Sequence, residues 1–179
     1  MKNFILTLTG LLITPAFAGV CDRTPQVVKA LETVVRKDCQ DISSQDLLGV
    51  RRLDLTSNYI KNLRVNDFQD MKKLEELILR DNKLTTIDPK VFKELNMLKN
   101  LDLSQNDLTS LSKSAFFFES TWGGGRKNRA RGNTSLKTLI LSNNKIAFIH
   151  PNAFQGLSGL YTLSLDGNQL TSLDADTFR

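Results

Sequence analysis

Residues 74–97 read LEELILRDNKLTTIDPKVFKELNM and contain one complete copy of the pattern from which the fold is predicted. Large apolar side chains, one asparagine and one phenylalanine follow one another in a fixed order, at Leu74, Leu77, Leu79, Asn82, Leu84, Ile87, Phe92 and Leu95. The central Leu-x-Leu predicts a short strand that points both leucines to one face. One such unit cannot bury its leucine face alone, so neighbouring copies must stack to form a core.

The same order recurs four more times, so the chain holds five copies of one unit. They begin at Val50, Leu74, Leu98, Leu136 and Leu160. The recurring asparagine is expected to hydrogen-bond the backbone of neighbouring copies, because its amide both donates and accepts. The recurring phenylalanines are expected to stack in the core. These two sets are Asn58, Asn82, Asn106, Asn144 and Asn168, and Phe68, Phe92, Phe116, Phe154 and Phe178.

Residues 19–49 precede the first copy and are expected to form a cap on it. Thr24-Pro25 predicts a threonine-capped helix over about residues 25–37, whose apolar stripe comprises Val27, Val28, Leu31, Val34 and Val35. Cys21 and Cys39 flank this helix. Two cysteines in an exported chain favour a disulfide, and two free thiols are the alternative. Residues 41–48 are interpreted as a shortened half-repeat.

The pattern LxxLxLxxNxLxxLxxxxFxxLxx resembles the typical 24-residue extracellular leucine-rich repeat, over residues 50–179. The Cys-x-Arg-Thr-Pro start is similar to the helical caps of bacterial surface proteins of this family, including the internalin type. The resemblance implies an α/β solenoid, a right-handed coil with short parallel strands on its concave face. It also implies that this face recognises proteins.

Residues 1–18 are predicted to be a secretory signal. Lys2 supplies the positive start, an apolar run follows, and Ala16-Phe17-Ala18 fits a cleavage site. The run is too short to span a bilayer, and no stretch of about 20 apolar residues occurs later, so we expect no transmembrane segment. The mature protein is therefore expected to be secreted, periplasmic or on the cell surface.

The positions that flank the strand leucines face outward and are the first candidates for a binding surface. They include Arg52, Asp54, Glu76, Ile78, Arg80, Asn100, Asp102, Thr138, Ile140, Tyr161 and Ser164. One interpretation is a solvated surface with weak cross-strand charge pairs. The other is a protein interface in which Ile78, Ile140 and Tyr161 are the apolar anchors.

An insertion at about 117–135 separates the third and fourth copies. It carries an aromatic side chain and four cations, at Trp122, Arg126, Lys127, Arg129 and Arg131. It is either a tolerated loop or a basic finger that binds an acidic protein surface, or an envelope polyanion or glycan. Nucleic acid is disfavoured because an exported chain seldom meets it.

Catalysis is not expected. His150 has no nucleophile placed beside it by the repeat pattern, and GGGRKNRARG lacks the P-loop spacing, so no cofactor is predicted. Two cysteines and one distant histidine are too few ligands for a metal. The sequence stops inside the fifth copy, which predicts an open edge that frays, dimerises end to end or marks a truncated product. The sequence therefore predicts an exported protein-binding module, with polyanion or glycan binding and a purely structural repeat protein as alternatives.

Overall fold

The computed structural model describes residues 19–116 and 135–178, and the repeats form the predicted solenoid of parallel strands. The main sheet has five strands, in the order of the copies along the chain. Its strands, one from each copy, are β1 (Arg52–Asp54), β2 (Glu76–Ile78), β3 (Asn100–Asp102), β5 (Thr138–Ile140) and β7 (Thr162–Ser164). Every pair is parallel and in the register of the repeat, so equivalent residues of successive copies lie side by side.

The strand leucines form the core on one side of this sheet. Leu53, Leu77, Leu101 and Leu139 have no more than 1% of their surface exposed. Leu163, their equivalent in the fifth copy, is only partly buried. The burial pattern confirms that alternate strand residues point into the coil, which leaves the other side of the sheet for polar and half-buried side chains.

The predicted asparagine ladder is present. The Asn82 amide donates from Nδ2 to the carbonyls of Leu55 (2.8 Å) and Leu79 (2.9 Å), while its Oδ1 accepts from the Ile60 N–H (2.9 Å). Each asparagine therefore serves its own copy and the copy before it. Asn106, Asn144 and Asn168 repeat this pattern. Asn58 differs, because its amide donates to Thr56 within its own copy.

The recurring phenylalanines stack on one another away from the sheet. Ring centroids lie 6.2 Å apart for Phe68 and Phe92, 6.1 Å for Phe116 and Phe154, and 5.8 Å for Phe154 and Phe178. Phe178 is nevertheless 63% exposed. The prediction that it is a core residue is wrong in this structure, since only one side of its ring is covered.

A second, two-stranded parallel sheet was not expected. It joins β4 (Ser110–Leu111) to β6 (Phe148–Ile149) on the chain segments that leave the asparagine turns of the third and fourth copies. Leu111 and Ile149 are buried, whereas Phe148 is 57% exposed. Two-residue strands carry no alternating pattern long enough to be read from sequence.

The helix α1 (Pro25–Val35) packs against β1 through Val27 and Leu31, which are fully buried. It ends two residues earlier than predicted because Arg36 adopts a left-handed conformation, with φ of 60°. The predicted stripe was also too wide, since Val34 is 49% exposed.

The disulfide favoured by the cysteine count is confirmed. Cys21 and Cys39 are bonded, with their Cα atoms 5.1 Å apart, so the alternative of two free thiols is wrong. The bond ties the chain before α1 to the short 3₁₀ turn Cys39–Asp41 that follows it. The role of residues 19–49 as a cap remains a prediction.

Thr24 does not cap α1 with its side chain, contrary to the prediction. Its hydroxyl donates to Asp67 Oδ2 and its backbone N–H donates to Asp67 Oδ1, both at 2.7 Å. The neighbouring Arg23 guanidinium donates to the carbonyls of Asp67 and Gln69, each at 3.0 Å. These groups are buried, so Thr24 joins the amino-terminal segment to the first repeat.

The predicted half-repeat before Val50 contains a second short helix, α2 (Ser44–Gly49). Ser43 caps it: its hydroxyl accepts from the Asp46 N–H at 3.2 Å, and the Asp46 carboxylate accepts from the Ser43 N–H at 2.9 Å. This reciprocal arrangement is a capping box, with aspartate in the acidic position. Within the described ranges, neither α1 nor α2 is long and apolar enough to cross a membrane.

Candidate functional site

The sheet face, meaning the side of the five-stranded sheet opposite the core leucines, collects most of the predicted binding residues. Register places them in two columns of five, one on each side of the leucine column. The first column is Arg52, Glu76, Asn100, Thr138 and Thr162, and the second is Asp54, Ile78, Asp102, Ile140 and Ser164. Arg80 and Tyr161 lie just beyond the strand ends. The structure therefore brings all eleven predicted residues onto one surface.

An outer column precedes the strands and runs Arg51, Glu75, Lys99, Lys137, Tyr161. Main-chain hydrogen bonds fix its order, since each N–H donates to the carbonyl of the residue before it in the column at 2.8 or 2.9 Å. Glu75 accepts from Arg51 at 2.9 Å and from Lys99 at 2.6 Å. The bond from Lys99, and secondarily the charge of Arg51, lower the pKa of the Glu75 carboxyl.

The first two columns are charged where they begin, at β1 and β2, but these charges are paired with one another. Arg52 donates to Glu76 and, at 3.1 Å, to Asp54. Chiefly through the bond to Glu76, this pairing raises the pKa of the Arg52 guanidinium. The pKa of the Asp54 carboxyl is lowered mainly by the Thr56 hydroxyl, which donates to it at 2.6 Å, and then by Arg52. These exposed pairs contribute little to stability because solvent screens them, yet they leave little unpaired charge here.

The apolar part of the sheet face lies farther along. Ile78 and Ile140 are half-buried and flank Asp102 in the same column. The Asp102 carboxylate already accepts the hydroxyl of Ser104 at 2.6 Å. Tyr161 is 92% exposed in the outer column, one strand away from Ile140 and three strands away from Ile78. A partner could bury all three large apolar side chains without breaking an ion pair of the described residues.

The carboxyl ends of the strands are held by polar contacts between copies. Arg80 donates from Nε to Gln105 at 2.9 Å, and the Ser142 hydroxyl donates to Asp166 at 2.6 Å. Ser104 and Ser142 are only 7% and 8% exposed. Each hydroxyl bonds an aspartate, Ser104 to Asp102 and Ser142 to Asp166, so neither serine offers much surface to a partner.

One strained position on this side was missed by sequence reasoning. Tyr59 is 74% exposed and has φ of 56°, a conformation that bulky residues rarely adopt. The equivalent Lys83, Asp107, Lys145 and Gln169 do not share this conformation. The sequence signal would have been an aromatic residue at a position where the other copies carry polar ones.

Other predicted features do not form a site in the described part of the chain. Trp122, Arg126, Lys127, Arg129 and Arg131 lie outside the described residues, as does the predicted signal. His150 accepts the Asn152 N–H at Nδ1 (3.0 Å), which is a local turn contact. Residues 19–116 and 135–178 contain no group of three acidic, histidine or cysteine side chains able to hold a metal.

Comparisons with known proteins agree with this geometry. The profile of a family described as "Leucine rich repeat" matches residues 49–108, 72–118 and 131–179. No curated protein matches the chain by sequence.

Solved structures similar to the chain include three with TM-scores above 0.5. TLR13, in a complex with ssRNA13, is 33% identical, with a TM-score of 0.55, covering 72% of this chain and 16% of that one. An internalin (InlF) from Listeria monocytogenes is 16% identical, with a TM-score of 0.57, covering 83% and 45%. A structure of the Drosophila Toll–Spatzle complex is 25% identical, with a TM-score of 0.53, covering 65% and 15%. The chain thus spans less than half the length of each, and the internalin likeness shows the fold alone.

Proposed function

Because the chain belongs to the leucine-rich repeat family, we propose that it is a protein-binding module that recognises a protein partner through its concave sheet face. Proteins with this fold commonly mediate binding. The observation that carries the proposal is the surface formed by Ile78, Ile140 and Tyr161. These large side chains stand on a sheet whose charged residues at the β1 end are paired with one another.

Rigid presentation is the proposed mechanism. Backbone hydrogen bonds hold successive strands in register, and the asparagine ladder fixes the turn that follows each strand. A surface that is ordered before binding loses less conformational entropy when the partner arrives. The apolar side chains provide affinity by burial, while the paired charges around them select a complementary polar rim.

The proposal is tested by comparative affinity capture with three forms of the protein. The sheet-face variant carries Ile78→Ser, Ile140→Ser and Tyr161→Ser. The matched control carries Val65→Ser and Phe148→Ser, which removes exposed apolar side chains outside the sheet face. Proteins captured by the wild type and the control, but not by the sheet-face variant, are the expected partners.

The affinity of a purified partner for each form then gives the size of the loss caused by the substitutions. If even one of the three anchors is a hot-spot residue, the sheet-face variant is expected to bind at least about 30-fold more weakly, since such a residue is typically worth about 2 kcal/mol or more. If the sheet-face variant binds every captured protein as tightly as the control does, the sheet face is not the binding surface.

We further propose that the module is exported and that its mature form begins at Gly19. The disulfide supports an oxidising compartment. The Gly19 backbone nitrogen lies 3.0 Å from Asp22 Oδ2, so a new α-ammonium at this position would meet a carboxylate. Mass spectrometry of the exported protein is expected to find Gly19 first, and Ala18→Leu is expected to block processing. Recovery of the protein with residues 1–18 attached would contradict this.

A further inference from the structure

One end of the sheet face carries positive charge that the described residues do not neutralise. In the outer column, Glu75 is the single carboxylate and is shared by Arg51 and Lys99. Among residues 19–116 and 135–178, Lys137 has no acidic partner. Lys99 and Lys137 are neighbours, because the Lys137 N–H donates to the Lys99 carbonyl at 2.8 Å. The column therefore holds three cations and one anion.

Apolar surface accompanies this charge. A groove of about 310 Å³ is lined by Met97, Lys99, Ser135 and Lys137. Met97 is 42% exposed in it. On the other side of Lys137, Tyr161 is the next residue in the column, and its N–H donates to the Lys137 carbonyl at 2.9 Å. We call the set Met97, Lys99, Lys137 and Tyr161 the lysine corner.

The lysine corner differs in kind from the charged beginning of the sheet. There, Arg52 already bonds two carboxylates, so an incoming anion would have to displace them. At the corner an incoming carboxylate can contact Lys137, which has no carboxylate partner among the described residues. It can also contact Lys99, whose exposed partner Glu75 is shared with Arg51. The backbones of Lys99 and Lys137 lie one strand spacing apart, about 4.8 Å, so one acidic segment can reach both ammonium groups.

We propose that the lysine corner docks an acidic segment of a protein partner, with carboxylates on Lys99 and Lys137 and an apolar side chain between Met97 and Tyr161. This inference rests on the proposed function and specifies the chemistry of the partner. A protein segment fits better than a sulfated or phosphorylated polymer. The described corner offers only two cations, and much of its surface is thioether and aromatic.

The test is a nuclear magnetic resonance titration of the isotopically labelled, disulfide-bonded protein at low salt. The probes are a capped peptide Glu-Leu-Glu-Phe-Glu, its counterpart Lys-Leu-Lys-Phe-Lys, and a heparin hexasaccharide. The acidic peptide is expected to shift the amide resonances of the four corner residues, and the basic peptide is not. Equal shifts from both peptides, or tighter binding of the hexasaccharide at the corner, would overturn the proposal.

Charge reversal provides the matched comparison. Lys137→Glu is expected to weaken binding of the acidic peptide at least 10-fold. Lys90→Glu makes the same change of net charge in a second 3₁₀ turn, Pro89–Phe92, away from the sheet, and is expected to change binding less than 2-fold. Equal losses in the two variants would mean that only overall charge matters, and the corner would be refuted.

A purified partner separates this inference from the proposed function. Because Tyr161 belongs to both surfaces, the sheet-face variant used here carries Ile78→Ser and Ile140→Ser only. If the partner loses affinity for this variant but not for Lys137→Glu, the corner fails and the sheet face stands. If it keeps its affinity for both variants, both proposals fail.

Discussion

Replacing an asparagine of the ladder should lower the free energy of unfolding far more in the middle of the coil than in the first copy. Asn106 is 5% exposed and makes four side-chain hydrogen bonds. Its Nδ2 donates to the carbonyls of Leu79 (2.9 Å), Leu103 (3.1 Å) and Ser104 (3.2 Å), and its Oδ1 accepts from the Leu84 N–H (3.1 Å). At a net 0.5–1.5 kcal/mol each, their loss in Asn106→Ala is expected to destabilise the protein by about 2–6 kcal/mol.

Asn58→Ala is the matched control, because it deletes the same atoms at the same place in the repeat. Asn58 is half-exposed and its amide makes one described hydrogen bond, to the Thr56 carbonyl at 2.8 Å. Its loss should cost about 1 kcal/mol. The measurement is urea unfolding followed by circular dichroism. With a slope of about 2 kcal/mol per molar, the two midpoints should differ by about 1 M. Equal midpoints for the two variants would refute the ladder as a source of stability.

Three further predictions concern the turns and the amino-terminal segment. Gly167→Ala should destabilise by at least about 1 kcal/mol, because φ is +66° and a new Cβ would lie 2.4 Å from Asn143 Oδ1; Gly49→Ala meets nothing within 4 Å and should not lower the melting temperature. The Asp46 pKa is lowered first by the Ser43 hydroxyl and then by a lysine ammonium. The stabilisation of the fold by the ionised Asp46 carboxylate should therefore be complete above the ordinary aspartate pKa. It should be lost only as the pH falls through the lower pKa of Asp46 in the folded protein, which a titration of its carboxyl carbon resonance measures. Reduction of the disulfide should lower the free energy of unfolding by about 3 kcal/mol, which is measured as a fall in melting temperature. An unchanged melting temperature would contradict this.

The repeat period predicted most of the fold, because each recurring residue has a single physical role. Leucine, asparagine and phenylalanine positions could be assigned without knowing their neighbours, and the strand register followed from the equal spacing. The surface columns followed in turn, since alternate strand residues must face outward. The sequence therefore predicted where the candidate residues lie, although it could not predict which charges are paired.

What the sequence missed depends on contacts between distant segments. Thr24 looked like a helix cap because the local pattern favours one, yet its hydroxyl bonds Asp67, 43 residues away. A hint was present, since Asp67 stands before Phe68 where other copies have Val91 or Ala115. Similarly, Ser142 could not be recognised as buried, because its position depends on Asp166 in the following copy.

The asparagine ladder runs in one direction, and this has a consequence for how such a chain can change over evolutionary time. Each asparagine completes the turn of the copy before it, so the unit that can be duplicated or lost is a whole 24-residue period, such as residues 74–97. Excising that period would bring Asn106 against the first copy, where it could take the place of Asn82. A binding surface built this way can be lengthened or shortened by recombination, one column position at a time, while the interior is inherited unchanged.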